Sequence, residues 1–79
     1  MKLTIVSPKG LVCNTEVESV TFPGSEGSFT VLKNHAPIMA TLLAGTITFV
    51  ENGDEKGVEI LSGIVNVLHN NIDVCVEVA

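Results

Sequence analysis

Along most of the chain apolar and polar positions alternate with a period of two. The run Ile72-Asp73-Val74-Cys75-Val76-Glu77-Val78 is the clearest case, with branched aliphatics at every second position, as a strand with one buried face requires. Thr46-Ile47-Thr48-Phe49-Val50 and Gly57-Val58-Glu59-Ile60 repeat the pattern. Between them stands Asn52-Gly53, a pair that tolerates the positive φ of a tight primed turn, so the two runs predict one hairpin. Asn70-Asn71 is expected to join a strand over Ile64–Leu68 to the final strand, and Pro23-Gly24, Gly27, Pro37, Gly45 and Gly63 punctuate the rest. No window of helical length carries apolar residues at i, i+3, i+4 and i+7 without an intervening Gly or Pro. The pattern therefore predicts an all-β chain, a small antiparallel β-sandwich of about ten short strands, because strands joined by tight turns must cover their apolar face with a second sheet. With 79 residues the chain is read as one domain, 1–79.

Two segments break the alternation. Ile38-Met39-Ala40-Thr41-Leu42-Leu43, and Ile60-Leu61 followed by Ile64-Val65, are apolar at both parities. Either these strands are short, bulged or capped by a loop, or one parity fills the core while the other meets a partner. Composition bears on that choice. Hydrophobic residues make up 46% of the chain and its mean hydropathy is +0.47, high for a small domain standing alone. A domain of this size buries only about 60% of its extended-chain surface, so a partner covering part of it is the favoured reading.

The net charge is -5, and the four basic residues are the scattered lysines Lys2, Lys9, Lys33 and Lys56. Without arginine, a basic cluster, tyrosine or tryptophan, nothing lines up to neutralise phosphates or stack on bases, and adsorption to anionic lipid is equally unsupported. The N-terminus, Met-Lys-Leu-Thr-Ile-Val-Ser-Pro, reads as neither a signal peptide nor a membrane span, so a cytosolic protein is expected. In that reducing compartment Cys13 and Cys75 are expected to be buried free thiols and not a disulfide.

Candidate chemistry is sparse. His35, beside Ala36-Pro37, and His69, before Asn70-Asn71, lack the converging ligands a metal needs, and no metal or cofactor is expected. His69 reads as an exposed loop residue. His35 reads as a turn histidine fixing its loop by hydrogen bonds, a partner contact, or both. Ser25 lies in Pro-Gly-Ser-Glu-Gly without the strand-to-helix setting of a nucleophile elbow, and Glu16 with Glu18 and Asp54 with Glu55 are most simply solubilising charge. Catalysis by this chain is not expected. The Gly24-Ser25-Glu26-Gly27 loop differs, since glycines flanking a carboxylate let the backbone turn sharply and push Glu26 and Ser28 outward; it is a plain tight turn or a binding loop.

Taken in order, Leu3-Thr4-Ile5-Val6-Ser7-Pro8, Pro23-Gly24-Ser25-Glu26-Gly27-Ser28-Phe29, Asn34-His35-Ala36-Pro37-Ile38 and Ser62-Gly63-Ile64-Val65-Asn66-Val67 resemble the epsilon subunit of bacterial F-type ATP synthases across essentially the whole chain. The resemblance implies a ten-stranded sandwich on the central stalk, a non-catalytic rotor subunit that grips the gamma subunit, rests on the ring of membrane c subunits and helps couple proton flow to ATP synthesis. It also implies a peripheral place on the cytoplasmic side of the bacterial membrane and work within a complex, not as an isolated monomer. On this analogy Glu26, Gly27 and Ser28 meet the polar loops of the c ring. Ser7, His35 and Thr41 match positions associated with the gamma contact, which the apolar segment carrying Ile38, Met39 and Leu42 extends. Three departures stand out. Ser28 replaces a frequent acid, Asn34 replaces the usual glycine before His-Ala-Pro, and the helical hairpin with which family members usually continue is missing, so a natural product of 79 residues would lack the hairpin's braking and nucleotide sensing. The alternative is a stand-alone sandwich module for a small ligand, glycan or other protein; three Phe with no Trp or Tyr argue against a carbohydrate platform.

Overall fold

A computed structural model describes residues 1–79, and every regular element in it is a strand. The nine strands are β1 (Lys2–Ser7), β2 (Gly10–Glu16), β3 (Ser19–Phe22), β4 (Phe29–Leu32), β5 (Ile38–Leu42), β6 (Gly45–Glu51), β7 (Asp54–Ile60), β8 (Ser62–Leu68) and β9 (Asn71–Glu77). They form a five-stranded sheet in the order β2-β1-β9-β8-β5 and a four-stranded sheet in the order β4-β3-β6-β7. The sandwich is as expected, with nine strands where about ten were anticipated. One pairing also departs from the antiparallel expectation: β1 runs parallel to β9, with Leu3 opposite Ile72 and Ile5 opposite Val74. The first and last strands thereby close the middle of the larger sheet across the whole length of the chain.

Alternation places one parity of every strand except β2 in a shared core of fifteen residues, among them Leu3, Ile5, Val20, Phe22, Val31, Ile47, Val65, Ile72 and Val74; β2 adds only the half-covered Cys13 at its margin, and no buried side chain is polar. At about 25 cal/mol per Å² of apolar surface removed from water, this interior is what holds the two sheets face to face. The segment Ile60-Leu61-Ile64-Val65 is apolar at both parities for two reasons: β7 ends at Ile60 in one sheet and β8 begins at Ser62 in the other, leaving Leu61 alone to make the crossing, while within β8 Val65 enters the core and Ile64 faces outward. Asn52 (φ 51) and Gly53 (φ 80) form the primed turn of the β6–β7 hairpin. The β8–β9 turn sits one residue earlier than expected, on His69 (φ 50) and Asn70 (φ 64), with Asn71 already in β9.

Neither cysteine is fully buried, contrary to expectation. Cys75 alternates with the core residues Val74 and Val76 and so points outward, while Cys13 is half-covered on the edge strand β2; both are free thiols. Burial and then the charge of Glu51 push the Cys13 thiol above its ordinary 9.0, which makes it a poor nucleophile.

Candidate functional site

The two outer faces of the sandwich differ in kind. On the four-stranded sheet, Thr30, Thr21 and Thr48 stand side by side through the registers of β4, β3 and β6, with Thr21 and Thr30 hydroxyls 2.9 Å apart. On the five-stranded sheet the registers align Leu11, Val6, Cys75, Ile64 and Thr41 in one lateral row across β2, β1, β9, β8 and β5. That row carries no charge. Leu11 is 63% exposed and Ile64 49%, and Met39, one position farther along β5, is 73% exposed. Part of the row is concave, a hollow of about 650 Å³ lined by Val6, Ser7, Thr41, Ile64 and Cys75, with the carboxylate-bearing Glu77 at its side. Its lining has no aromatic residue.

The glycine loop is fastened to the rim of this face. Gly24 bridges Leu42; Ser25 N–H donates to the Thr41 carbonyl (3.0 Å), Leu43 N–H donates to the Pro23 carbonyl (2.9 Å), and the Ser25 and Thr41 hydroxyls are 2.7 Å apart. The two glycines act differently. A Cβ on Gly24 would stand 2.6 Å from the Gly27 carbonyl oxygen and 2.9 Å from the Phe29 ring, whereas Gly27 has open space but a φ of 121°. With the loop so closed, Glu26, Gly27 and Ser28 are all exposed. Between the loop and β5 runs a groove of about 710 Å³, bounded by Gly24–Phe29, Ile38–Thr41 and Ile64.

Strand β5 resolves the parity question at its centre. Met39 and Thr41 point outward, Ile38 and Ala40 pack partly against the core, and Leu42 is 3% exposed and belongs to the core. Leu42 is therefore not available as a surface contact; its inward parity follows from pairing with Gly63 on β8. Ser7 lies at the end of the apolar row, near Thr41, with its hydroxyl donating to the Gly10 carbonyl (3.4 Å) and accepting from Lys9 N–H (3.2 Å). His35 is at the opposite end of β5. Its N–H donates to the Leu32 carbonyl (3.1 Å) and its Nδ1 donates to the Ala36 carbonyl (2.7 Å), so it fixes its turn and stays exposed. Beside it Asn34 adopts a φ of 64°, the conformation a glycine would take, and exchanges hydrogen bonds with Asn70 (2.7 and 3.1 Å). The structure thus gathers Ser7, Thr41, Met39 and the Glu26 loop at one end and along one edge, and sets His35 apart from them. Leu11, Val6, Cys75 and Ile64 had not been singled out as one surface, because each strand supplies one residue to it.

The domain described as "ATP synthase, Delta/Epsilon chain, beta-sandwich domain" matches residues 1–79. The chain belongs to this family. ATP synthase epsilon chains of Nitratiruptor sp. and Desulfatibacillum aliphaticivorans are each 42% identical over 78 residues, 98% of this chain and 60% and 55% of theirs. That of Rhodopseudomonas palustris is 39% identical over 75 residues, 95% of this chain and 56% of its own. The chain therefore spans a little over half the length of these curated relatives. In solved structures the fold matches a chain of the Tetrahymena thermophila mitochondrial ATP synthase central stalk and c-ring (TM-score 0.82, 17% identity, 98% of this chain and 63% of that one). A chain of the Euglena gracilis mitochondrial ATP synthase matches with a TM-score of 0.86 at 23% identity, over 94% of this chain and 48% of that one.

No three His, Cys, Asp or Glu side chains converge as a metal site, and the carboxylate held below its ordinary value, Glu51, owes that to hydrogen bonds from Lys56 and Thr15 at a seam of the sandwich. What the delta/epsilon sandwich does present is surface: one uncharged, largely apolar row across the five-stranded sheet, flanked by polar rows that carry Asp73 and Glu77, one glycine-closed acidic loop at its rim, and a groove between them.

Proposed function

We propose that this chain is the sandwich of an ATP synthase epsilon subunit, a non-catalytic part of the central stalk that joins the gamma subunit to the c ring and helps couple proton translocation to ATP synthesis. The observation that carries the reading is the asymmetry of the two outer faces. The row containing Leu11, Ile64 and Cys75, edged by Met39, is uncharged and largely apolar where the central row of the other sheet is threonine, and burying it against gamma removes apolar surface from water. Ser7 and Thr41 extend the same surface to its rim, Ile38 supports Met39 from the core side, and His35 meets gamma only as an outlying contact at the far end of β5. Glu26, Gly27 and Ser28 project from the opposite margin of the groove and meet the polar loops of the c ring, with Glu26 as the single charge. On this reading the subunit sits peripherally, on the cytoplasmic side of the bacterial membrane.

Replacement of Met39 by Asp tests the reading. The side chain is 73% exposed, so the variant keeps its fold, and a carboxylate buried against an apolar partner face lowers affinity for purified gamma at least tenfold, about 1.4 kcal/mol or more. Unchanged binding by a folded Met39→Asp chain, measured by titration calorimetry, would show that gamma sits elsewhere.

A further inference from the structure

We propose that β5 receives an extended strand of the gamma subunit along its free edge, so that the partner adds a short sixth strand to the five-stranded sheet instead of only resting on its face. This rests on the gamma-binding reading above and specifies how that contact is made.

The argument begins with where backbone groups point. Within an antiparallel strand the N–H and C=O of one residue face the same neighbour, and those of the next residue face the other side. The Thr41 carbonyl turns away from β8 to accept from Ser25. Two residues back, Met39 must turn its N–H and C=O the same way. No strand of this chain pairs there: the loop Pro23–Ser25 reaches only Thr41 and Leu43, and the groove opens alongside Ile38–Thr41. The Met39 N–H and C=O, with the Thr41 N–H, form a row of unpaired backbone groups bordered by a hollow.

Two of the other three sheet edges are blunted in ways that prevent strand addition. Strand β7 carries Asp54, Glu55, Lys56 and Glu59, and β2 is bulged where the register shifts between Ile5 and Val6; the third, β4, is uncharged and as short as the open part of β5. Strand β5 has no charge, no bulge and no proline between Ile38 and Leu42. An unguarded edge with open donors and acceptors fits an extended backbone, and its side chains would alternate between the groove, beside Phe29 and Ile38, and the outer face, beside Met39 and Ile64. A second copy of this chain fits poorly. Antiparallel pairing of two β5 strands centred on Met39 sets Thr41 of one against Pro37 of the other, which lacks an N–H, and drives the partner's strand into the Pro23–Ser25 loop.

Because the Met39 N–H takes no part in the pairing with β8, proline there removes a donor from the free edge and leaves the sheet's own ladder intact. In titrations of purified gamma, Met39→Pro is expected to weaken binding about tenfold beyond Met39→Ala, which keeps the N–H. If Met39→Pro binds as Met39→Ala does while Met39→Asp still blocks binding, strand addition is overturned and the face contact survives; if Met39→Asp also binds normally, both readings fall. Amide exchange in the unmodified chain decides the matter independently of whether the proline variant folds. The Met39 and Thr41 amides should slow at least tenfold in the gamma complex, and unchanged rates would overturn the proposal. A dimer of the isolated chain that is lost in Met39→Pro would assign the edge to a second copy and overturn it as well.

Discussion

At one seam between the sheets, where the apolar core stops, Glu51 takes over. From β6 its carboxylate accepts from the Thr15 hydroxyl on β2 of the other sheet and from Lys56 Nζ on β7 (2.7 Å), so one side chain ties three strands and both sheets. The Lys56 and Thr15 hydrogen bonds hold the Glu51 carboxyl below its ordinary 4.5, and the Glu51 hydrogen bond and charge hold Lys56 above its ordinary 10.5. A carboxyl lowered on folding contributes its full stability above its unfolded value and loses it as pH falls through the folded one. Lys56, raised on folding, contributes fully below its ordinary value and loses that as pH rises through its folded one. Replacement of Glu51 by Gln should therefore lower the urea midpoint at neutral pH and flatten its decline in acid, so that variant and parent draw together as pH falls below the ordinary carboxyl value of 4.5 and through the lowered folded one. A gap that stays constant from about pH 6 to pH 3 would show that the Glu51 charge contributes nothing to stability.

At the level of elements, the β6–β7 hairpin shows how completely a local signal can specify structure. Asn52 and Gly53 both take positive φ, and the turn is held from outside by Glu18, whose Oε1 accepts the Gly53 N–H (2.9 Å). At φ 80° a β-branched side chain collides with its own backbone, so Gly53→Val should cost about 1–3 kcal/mol in chemical denaturation, whereas Asn52→Gly should fall within about 0.5 kcal/mol of the parent. Equal costs for the two would mean that the turn conformation is not what fixes the hairpin. The same locality explains what else was legible. Strict alternation gave β9 to within one residue at either end, and the Gly-flanked loop could be anticipated from Pro23–Gly27, whereas the doubly apolar Ile38–Leu43 left open whether Met39 or Leu42 faces outward. Non-local facts were not legible. The parallel pairing of β1 with β9 joins opposite ends of the sequence, the bulge in β2 blurs its alternation, and the crossing at Leu61 imitates a strand exposed on both faces. The outer apolar row was hidden for the same reason, since Leu11, Val6, Cys75 and Ile64 become neighbours only through three separate registers.

For the whole molecule the decisive property is that two sheets built on one core turn different chemistry outward. Fifteen apolar residues fill the core, and on the threonine face the Thr21 and Thr30 hydroxyls pair with one another. On the proposed reading it is the uncharged row of the five-stranded face that gamma covers. A charge introduced on either outer face should leave folding nearly unchanged, since Ile64 is exposed and Thr48, though half-buried, lies on the outward parity of β6, yet only one should affect assembly. Ile64→Asp, in the middle of the apolar row, is expected to reduce gamma affinity at least tenfold, about 1.4 kcal/mol, because the carboxylate must be desolvated without a partner. Thr48→Asp, at the centre of the opposite face, is expected to stay within about threefold of the parent, the range of a surface change away from the interface. Matched denaturation midpoints for the two variants would exclude unfolding as the cause, so the difference in affinity reads out the face itself. If Thr48→Asp proves the more damaging of the two, the sandwich is docked by its four-stranded sheet, and the apolar row, the β5 edge and the Glu26 loop lose their shared rationale together.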